Sequence, residues 1–181
     1  MAKSTKNERI RISGFGGQGV LTVGQIIALL HLEHDRTVSW IPAYGAEMRG
    51  GTTNCSVIIQ DDVIGSPIVA QDIDILLAFN LPSLTRFEPL VKKGGKIIYN
   101  TSIIKDPPTR KDVEVIGVDA TNISISLGSP KVQNMIMMGA YLKDHPYFNE
   151  EIIKKVLLIR FGEKAEKLIP INLAAIKAGK E

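Results

Sequence analysis

The chain has 181 residues, 44% hydrophobic and 23% charged, enough for one globular domain with a sizeable core and too few for two. Its formal net charge is +3, with Lys and Arg scattered among carboxylates and no run of five like charges, so no nucleic-acid stripe is marked; an anionic small molecule or an acidic partner fits. One cysteine, Cys55, excludes an internal disulfide framework, a four-cysteine iron–sulfur cluster and a cysteine-rich zinc site within this chain.

The apolar stretches are far shorter than the roughly 18 to 20 residues a membrane span needs. The start MAKSTKNERIRI lacks the apolar region of a signal peptide, so a cytoplasmic chain without a membrane anchor is expected.

After a polar tail, ERIRIS alternates and is β-branched, GFGGQG breaks it, and VLTVGQIIALLHLEH carries apolar residues at helical spacing. This is strand, glycine turn, helix. RTVSWI reads as a second strand, PAYGAEMRGG as a loop, TTNCSVIIQ as a third strand, and DDVIGSP as a turn leading to a short edge segment. DIDILLAFN reads as a strand buried on both faces and ending at Asn80, followed by a helix from Leu81 to Val91 with Pro82 in its first turn. KKGGKIIYN repeats the design and ends at Asn100, VEVIGVDA is a further strand, and TNISISLG a connector. Ser129 and Pro130 form an N-cap and first-turn pair for the helix KVQNMIMMGAYLK; the rest is a helical tail interrupted at Gly162 and Pro170.

The expected fold is α/β: a three-layer, mostly parallel, doubly wound, Rossmann-like sheet with a helical C-terminal tail. We expect a single domain over 1–181, with the sheet core over 8–128 and the C-terminal helices over 129–181. Ligands of such sheets lie outside the carboxyl ends of the strands, so GFGGQG, PAYGAEMRGG, Asn80 and Asn100 should gather along one edge.

Gly14, Gly16 and Gly19 match GxGxxG between a strand and a helix, the context of a dinucleotide fingerprint. That fingerprint needs an acidic residue at the end of the second strand, and TVSWIPAY offers none; Asp35 precedes the strand. A P-loop is excluded because no Lys-Ser or Lys-Thr follows the glycines. Two readings remain: a tight turn with no ligand, or a turn whose amides and Gln18 face a phosphate, cofactor or partner at a helix N-terminus. In the second loop, Arg49 can fork onto a phosphate or carboxylate beside Gly50 and Gly51, or it can simply pair with Glu47.

His31, His34 and His145 form no triad spacing and read as surface or helix-end residues. Cys55 reads as a small buried hydrophobe rather than a nucleophile, and Met135, Met137 and Met138 as core or interface filler. Ser13, Ser56 and Ser129 lack a GxSxG setting. No catalytic residue and no metal ligand is assigned.

The strand with GFGGQGV, the loop AYGAEMRGGT, then IGSP and NLPSLTRFEPLVKKGG, together resemble the gamma subunit of the 2-oxoacid:ferredoxin oxidoreductases, over nearly the whole chain. The EMRGG form is similar to the 2-oxoglutarate and 2-ketoisovalerate enzymes rather than the pyruvate ones. The resemblance implies a complex that oxidatively decarboxylates a 2-oxoacid on thiamine diphosphate, passes electrons through 4Fe-4S clusters to ferredoxin, and transfers the acyl group to coenzyme A. Thiamine diphosphate and the clusters would belong to the alpha, beta and ferredoxin-like delta subunits, and the isolated chain would be inactive. On this resemblance Gly14, Gly16, Gly17, Gln18, Gly19, Tyr44, Glu47, Arg49, Gly50, Gly51 and Thr52 would form a wall of the coenzyme A site. The alternatives are a purely structural subunit whose turn and loop touch only neighbouring chains, and an independent dinucleotide oxidoreductase.

Overall fold

The computed structural model describes residues 6–44 and 51–181. The strands are β1 (Glu8–Phe15), β2 (Thr37–Tyr44), β3 (Thr52–Gln60), β4 (Ile73–Ala78), β5 (Val91–Asn100) and β6 (Glu114–Val118). The helices are α1 (Val20–Leu32), α2 (Leu81–Phe87), α3 (Ala120–Ser126), α4 (Gln133–Leu142), α5 (Glu150–Phe161) and α6 (Ile169–Lys180). One six-stranded sheet runs in the order β2-β3-β1-β4-β5-β6.

β1, β4, β5 and β6 pair in parallel, as the strand–helix alternation predicts. β3 is the exception: it lies antiparallel between β1 and β2, with Phe15 opposite Thr52 and Tyr44 opposite Thr53. β2 and β3, consecutive in the chain, are therefore direct antiparallel neighbours in the sheet.

Period-2 alternation sorts side chains onto two faces. Ile10, Ile12, Val57, Ile59, Ile75, Leu77 and Ile98 pack against α1, α4, α5 and α6 in the larger core. Ile58, Leu76, Ala78, Ile97 and Tyr99 pack with Leu84 and Phe87 of α2 in the smaller one. Met135, Met137 and Met138 are buried in the larger core, as core filler should be. Cys55 is also fully buried there, and burial pushes its thiol up to about 12.

Four local expectations are corrected. TNISISLG is α3 rather than a connector, because the Asp119 carbonyl accepts from the Ile123 amide at 3.0 Å and starts a helical turn. Pro170 does not interrupt the tail: it occupies the first turn of α6, where a missing N–H costs nothing. The break falls at Gly162, the other expected position, with φ of 76°, and at the short 3-10 stretch after it. Ser129 makes no side-chain cap; a 3-10 turn over Pro130–Val132 precedes α4. The predicted helix from Leu81 to Val91 is α-helical only to Phe87 and tightens to 3-10 over Glu88–Leu90.

The histidine expectation is overturned in its surface reading, although all three do lie at or just past helix ends. His31 and His145 are buried, and His31, His34 and His145 meet Tyr141, Tyr147 and Phe148 in one ring cluster at the amino-end edge of the sheet. Burial, reinforced by the neighbouring His145, Arg36 and His34, pushes His31 down to about 3, so its ring is neutral. Helix spacing does not reveal that the ends of α1 and α4 meet; packing decides it.

Candidate functional site

The candidate site is the carboxyl edge of the sheet. β1 and β4 are neighbours, yet α1 leaves β1 for the larger core and α2 leaves β4 for the smaller one. The two connections diverge to opposite faces, which makes the β1/β4 junction a topological switch point. The glycine turn occupies it.

The turn closes with the Gln18 amide donating to the Phe15 carbonyl at 3.2 Å. Gly17 has φ of 95° and Gly19 φ of 78°, the left-handed region that glycine enters without cost. Gly14 is glycine for a different reason: a Cβ there would lie 2.8 Å from both Phe79 Cβ and Val20 Cγ2. Gly19 serves as the N-cap of α1 and has no side chain to offer the helix amides. Among the described residues, the amides of Gly17 and Gly19 find no acceptor, so they are open donors at the positive end of a 13-residue helix.

Gln18 does something the sequence does not indicate. Its Oε1 accepts from the Phe15 amide at 2.6 Å and from Asn80 Nδ2 at 3.3 Å, and its Nε2 donates to the Phe79 carbonyl at 3.4 Å. The side chain is folded into the switch-point crevice and ties the end of β1 to the end of β4. Its place is structural support for the turn.

Asn80 caps α2, its Oδ1 accepting from the Ser83 amide at 2.9 Å, and Ser13 Oγ donates to Ser83 Oγ at 2.8 Å. Asn100 ends β5, accepts from the Ser102 amide at 3.1 Å and reaches Thr121 Oγ1 at 3.4 Å. Both asparagines thus lie on the predicted edge, and their polar atoms are spent on the chain itself.

Gly51 and Thr52 lie beside the turn, the Gly51 carbonyl accepting from the Gly16 amide at 3.1 Å. Tyr44 ends β2 at the same edge. Glu47, Arg49 and Gly50 lie outside the described residues; on one side of them Gly51 bonds to the glycine turn, while on the other Tyr44 pairs with Thr53 and lies one strand further out, across β3.

The edge carries one further polar group that sequence reasoning missed. Asp119, just after β6, accepts from Ser102 Oγ and from Asn122 Nδ2 at 3.0 Å. Those hydrogen bonds, Ser102 foremost, hold its carboxyl below the usual range, so it is an ionised acceptor. The rule that selected Asn80 and Asn100, a polar residue at a strand's carboxyl end, would have found it.

The geometry defines a doubly wound α/β domain with a glycine turn that presents two open amides at its switch point. The match to the pyruvate ferredoxin/flavodoxin oxidoreductase family runs over residues 9–181, and the chain belongs to that family. It is 38% identical to the ketoisovalerate oxidoreductase subunit VorA of Methanothermobacter marburgensis over 94% of this chain and 35% of that relative. The chain thus spans about a third of the length of that subunit. It is 31% identical to the 2-oxoglutarate synthase subunit KorC of Methanothermobacter thermautotrophicus, over 96% of this chain and 94% of KorC. Among solved structures it superposes on the 2-oxoglutarate:ferredoxin oxidoreductase of Magnetococcus marinus with a TM-score of 0.85 at 25% identity, covering 98% of this chain and 31% of the other. That structure has 2-oxoglutarate, coenzyme A and succinyl-CoA bound.

Proposed function

We propose that this chain is the gamma subunit of a 2-oxoacid:ferredoxin oxidoreductase of the 2-ketoisovalerate or 2-oxoglutarate type, and that its carboxyl edge forms one wall of the coenzyme A site. The observation that carries this is the pair of open amides at the α1 N-terminus, on a turn whose Gly16 amide is bonded by the Gly51 carbonyl. The likeness to a structure with coenzyme A bound supports the same reading.

In this reading the amides of Gly17 and Gly19 and the Arg49 guanidinium hold phosphate of coenzyme A, with Gly16, Gly50 and Gly51 allowing close approach and Tyr44, Glu47 and Thr52 bordering the loop. Gln18 keeps the turn rigid by bridging β1 and β4. Partner subunits would hold the thiamine diphosphate, which would supply the decarboxylation chemistry, and the 4Fe-4S clusters, which would carry electrons to ferredoxin. This chain positions the thiol nucleophile and excludes water; it supplies no acid or base. Alpha, beta and ferredoxin-like delta chains are the partners in this reading. No described helix is long and apolar enough to cross a membrane. With its lone buried cysteine this fits a cytoplasmic complex.

A second reading has its own observation. Phe15, Leu81, Ile103 and Ile125 are exposed apolar residues at the carboxyl ends of the strands or on the segments that follow them, and the Gln18 and Asn80 amides are satisfied internally. Such a rim suits a neighbouring protein chain, with the turn as a docking element only.

Arg49→Ala in the reconstituted complex separates the two. A tenfold or greater rise in the KM for coenzyme A with assembly intact supports the first reading. Failed assembly supports the second, and unchanged assembly and kinetics remove Arg49 from both.

A further inference from the structure

At the edge of the sheet opposite the glycine turn, Glu8 of β1, His31 of α1 and His145 beyond α4 converge, all three buried, and a donor atom from each lies within 4.8 Å of the others. The hydrogen bonds around them are directional. His145 Nδ1 lies 3.0 Å from the Tyr141 carbonyl, which only accepts, so Nδ1 carries a proton and Nε2 is the ring atom turned toward Glu8. Nε2 lies 3.0 Å from Glu8 Oε1. A ring nitrogen and a carboxylate oxygen at this separation share a cation, either a proton or a metal ion.

Tyr141 fixes the other carboxylate oxygen, its hydroxyl donating to Glu8 Oε2 at 2.9 Å. Having given up its only proton, that hydroxyl accepts from His31 Nε2 at 2.9 Å, and His31 Nδ1 is left as a buried lone pair without a partner among the described residues. A ring N–H held by a backbone carbonyl and a carboxylate held by a hydroxyl are the outer-shell contacts that orient metal ligands.

We propose that Glu8, His31 and His145 form a binding site for a divalent transition-metal ion, Zn2+ by its donor set. Two imidazoles and one carboxylate are a recurrent zinc ligand set, and bonds of about 2.0–2.2 Å require only small movements of groups already this close. Glu8 and His145 also line a cavity of about 590 Å3 that provides an entry path from solvent. Of the cations around the site, Lys92 pairs with Asp74, Lys96 with Glu114 and Asp144, and Arg36 with Asp61 at 3.1 Å, while Lys6 lines the same cavity. Glu8 is left as the carboxylate that faces the two rings. The competing occupant of the gap is a proton, which would make His145 an imidazolium.

The test uses the full chain stripped of metal with a chelator and titrated with Zn2+ alone. The expected result is one Zn2+ per chain with a raised thermal midpoint, and at least tenfold weaker binding in both Glu8→Gln and His145→Gln, each checked for a native circular dichroism spectrum. His34→Gln, in the same ring cluster but outside the donor set, should bind as the parent does. Co2+ in place of Zn2+ should give the visible bands of a nitrogen- and oxygen-ligated ion in the parent chain, a readout that needs no variant. Binding insensitive to Glu8→Gln and His145→Gln, or a folded parent chain that binds no Zn2+ and shows a doubly protonated His145 by 15N resonance, would overturn the proposal.

Discussion

Gly17 and Gly19 share a left-handed backbone but differ in what surrounds them. Among the described residues nothing lies within 4 Å of a Cβ placed on Gly17, whereas one on Gly19 would run into the Asn134 side chain, with Cγ at 2.9 Å. Gly17→Ala therefore carries only the cost of the left-handed conformation, about 1 kcal/mol. Gly19→Ala adds a steric displacement of the start of α4 and should cost about 2–3 kcal/mol in all. Urea unfolding of the two variants checks this; equal losses would show that Asn134 moves aside freely. Cys55 makes a second residue-scale case. Because its folded pKa of about 12 exceeds the unfolded value of 9.0, the folded state keeps a proton that the unfolded chain releases. Stability is full below pH 9 and declines above it toward pH 12, by up to about 1.4 kcal/mol per pH unit from this group. Thiol labelling at pH 8 should be slow in the native chain and fast in denaturant, and rapid native labelling would refute the burial argument. The sequence indicates Cys55's burial through its strand pattern, while the Gln18 bridge to Phe79 depends on β4 arriving beside β1 and has no local signal.

Helix pairing shows the same division. α4 and α6 cross at Gly139 and Gly179: a Cβ on Gly139 would lie 2.9 Å from Gly179 Cα and 3.0 Å from the Ile176 carbonyl carbon. An alanine in a helix interior ordinarily gains up to about 1 kcal/mol over glycine. Here the two backbones are in contact, so Gly139→Ala should reverse that sign and cost about 1–3 kcal/mol. Thermal unfolding against Gly65→Ala, where a Cβ meets nothing within 4 Å, isolates the effect. The crossing is invisible in MIMMGAYL alone, because the pattern specifies an apolar helix without naming its partner. All six strands were legible because period-2 alternation and β-branching are local properties. The antiparallel insertion of β3 was not, since a strand pattern carries no direction and both hands of pairing satisfy it.

At the scale of the whole molecule, the two edges of the sheet differ in what they present. At the carboxyl edge, Phe15, Leu81, Ile103 and Ile125 are exposed apolar groups whose removal leaves the cores untouched. Phe15→Ser and Leu81→Ser should each change the stability of the isolated chain by less than about 0.5 kcal/mol. If a partner chain covers this rim, the pair should still reduce recovery of the reconstituted complex in size-exclusion chromatography; normal assembly by the double variant would show that the rim faces solvent. At the opposite edge, α4 runs from Asn134 beside Gly19 to Tyr141 beside Glu8 and His31, so β1, α1 and α4 are joined at both ends. The glycine turn is held by that unit.

The sequence by itself determined the α/β class, the strand–turn–helix opening, and the gathering of GFGGQG, Gly51, Thr52, Asn80 and Asn100 on one edge. These follow from periodicity and from the rule that βα connections leave the carboxyl ends of strands. Only the tertiary structure decided that Gln18 and Asn80 are tied into the chain's own scaffold, and that His145 meets Glu8 across 137 positions of sequence. Such contacts depend on which elements pack together. That choice is made by burying the apolar faces of the whole chain at once, and no short stretch of residues contains it.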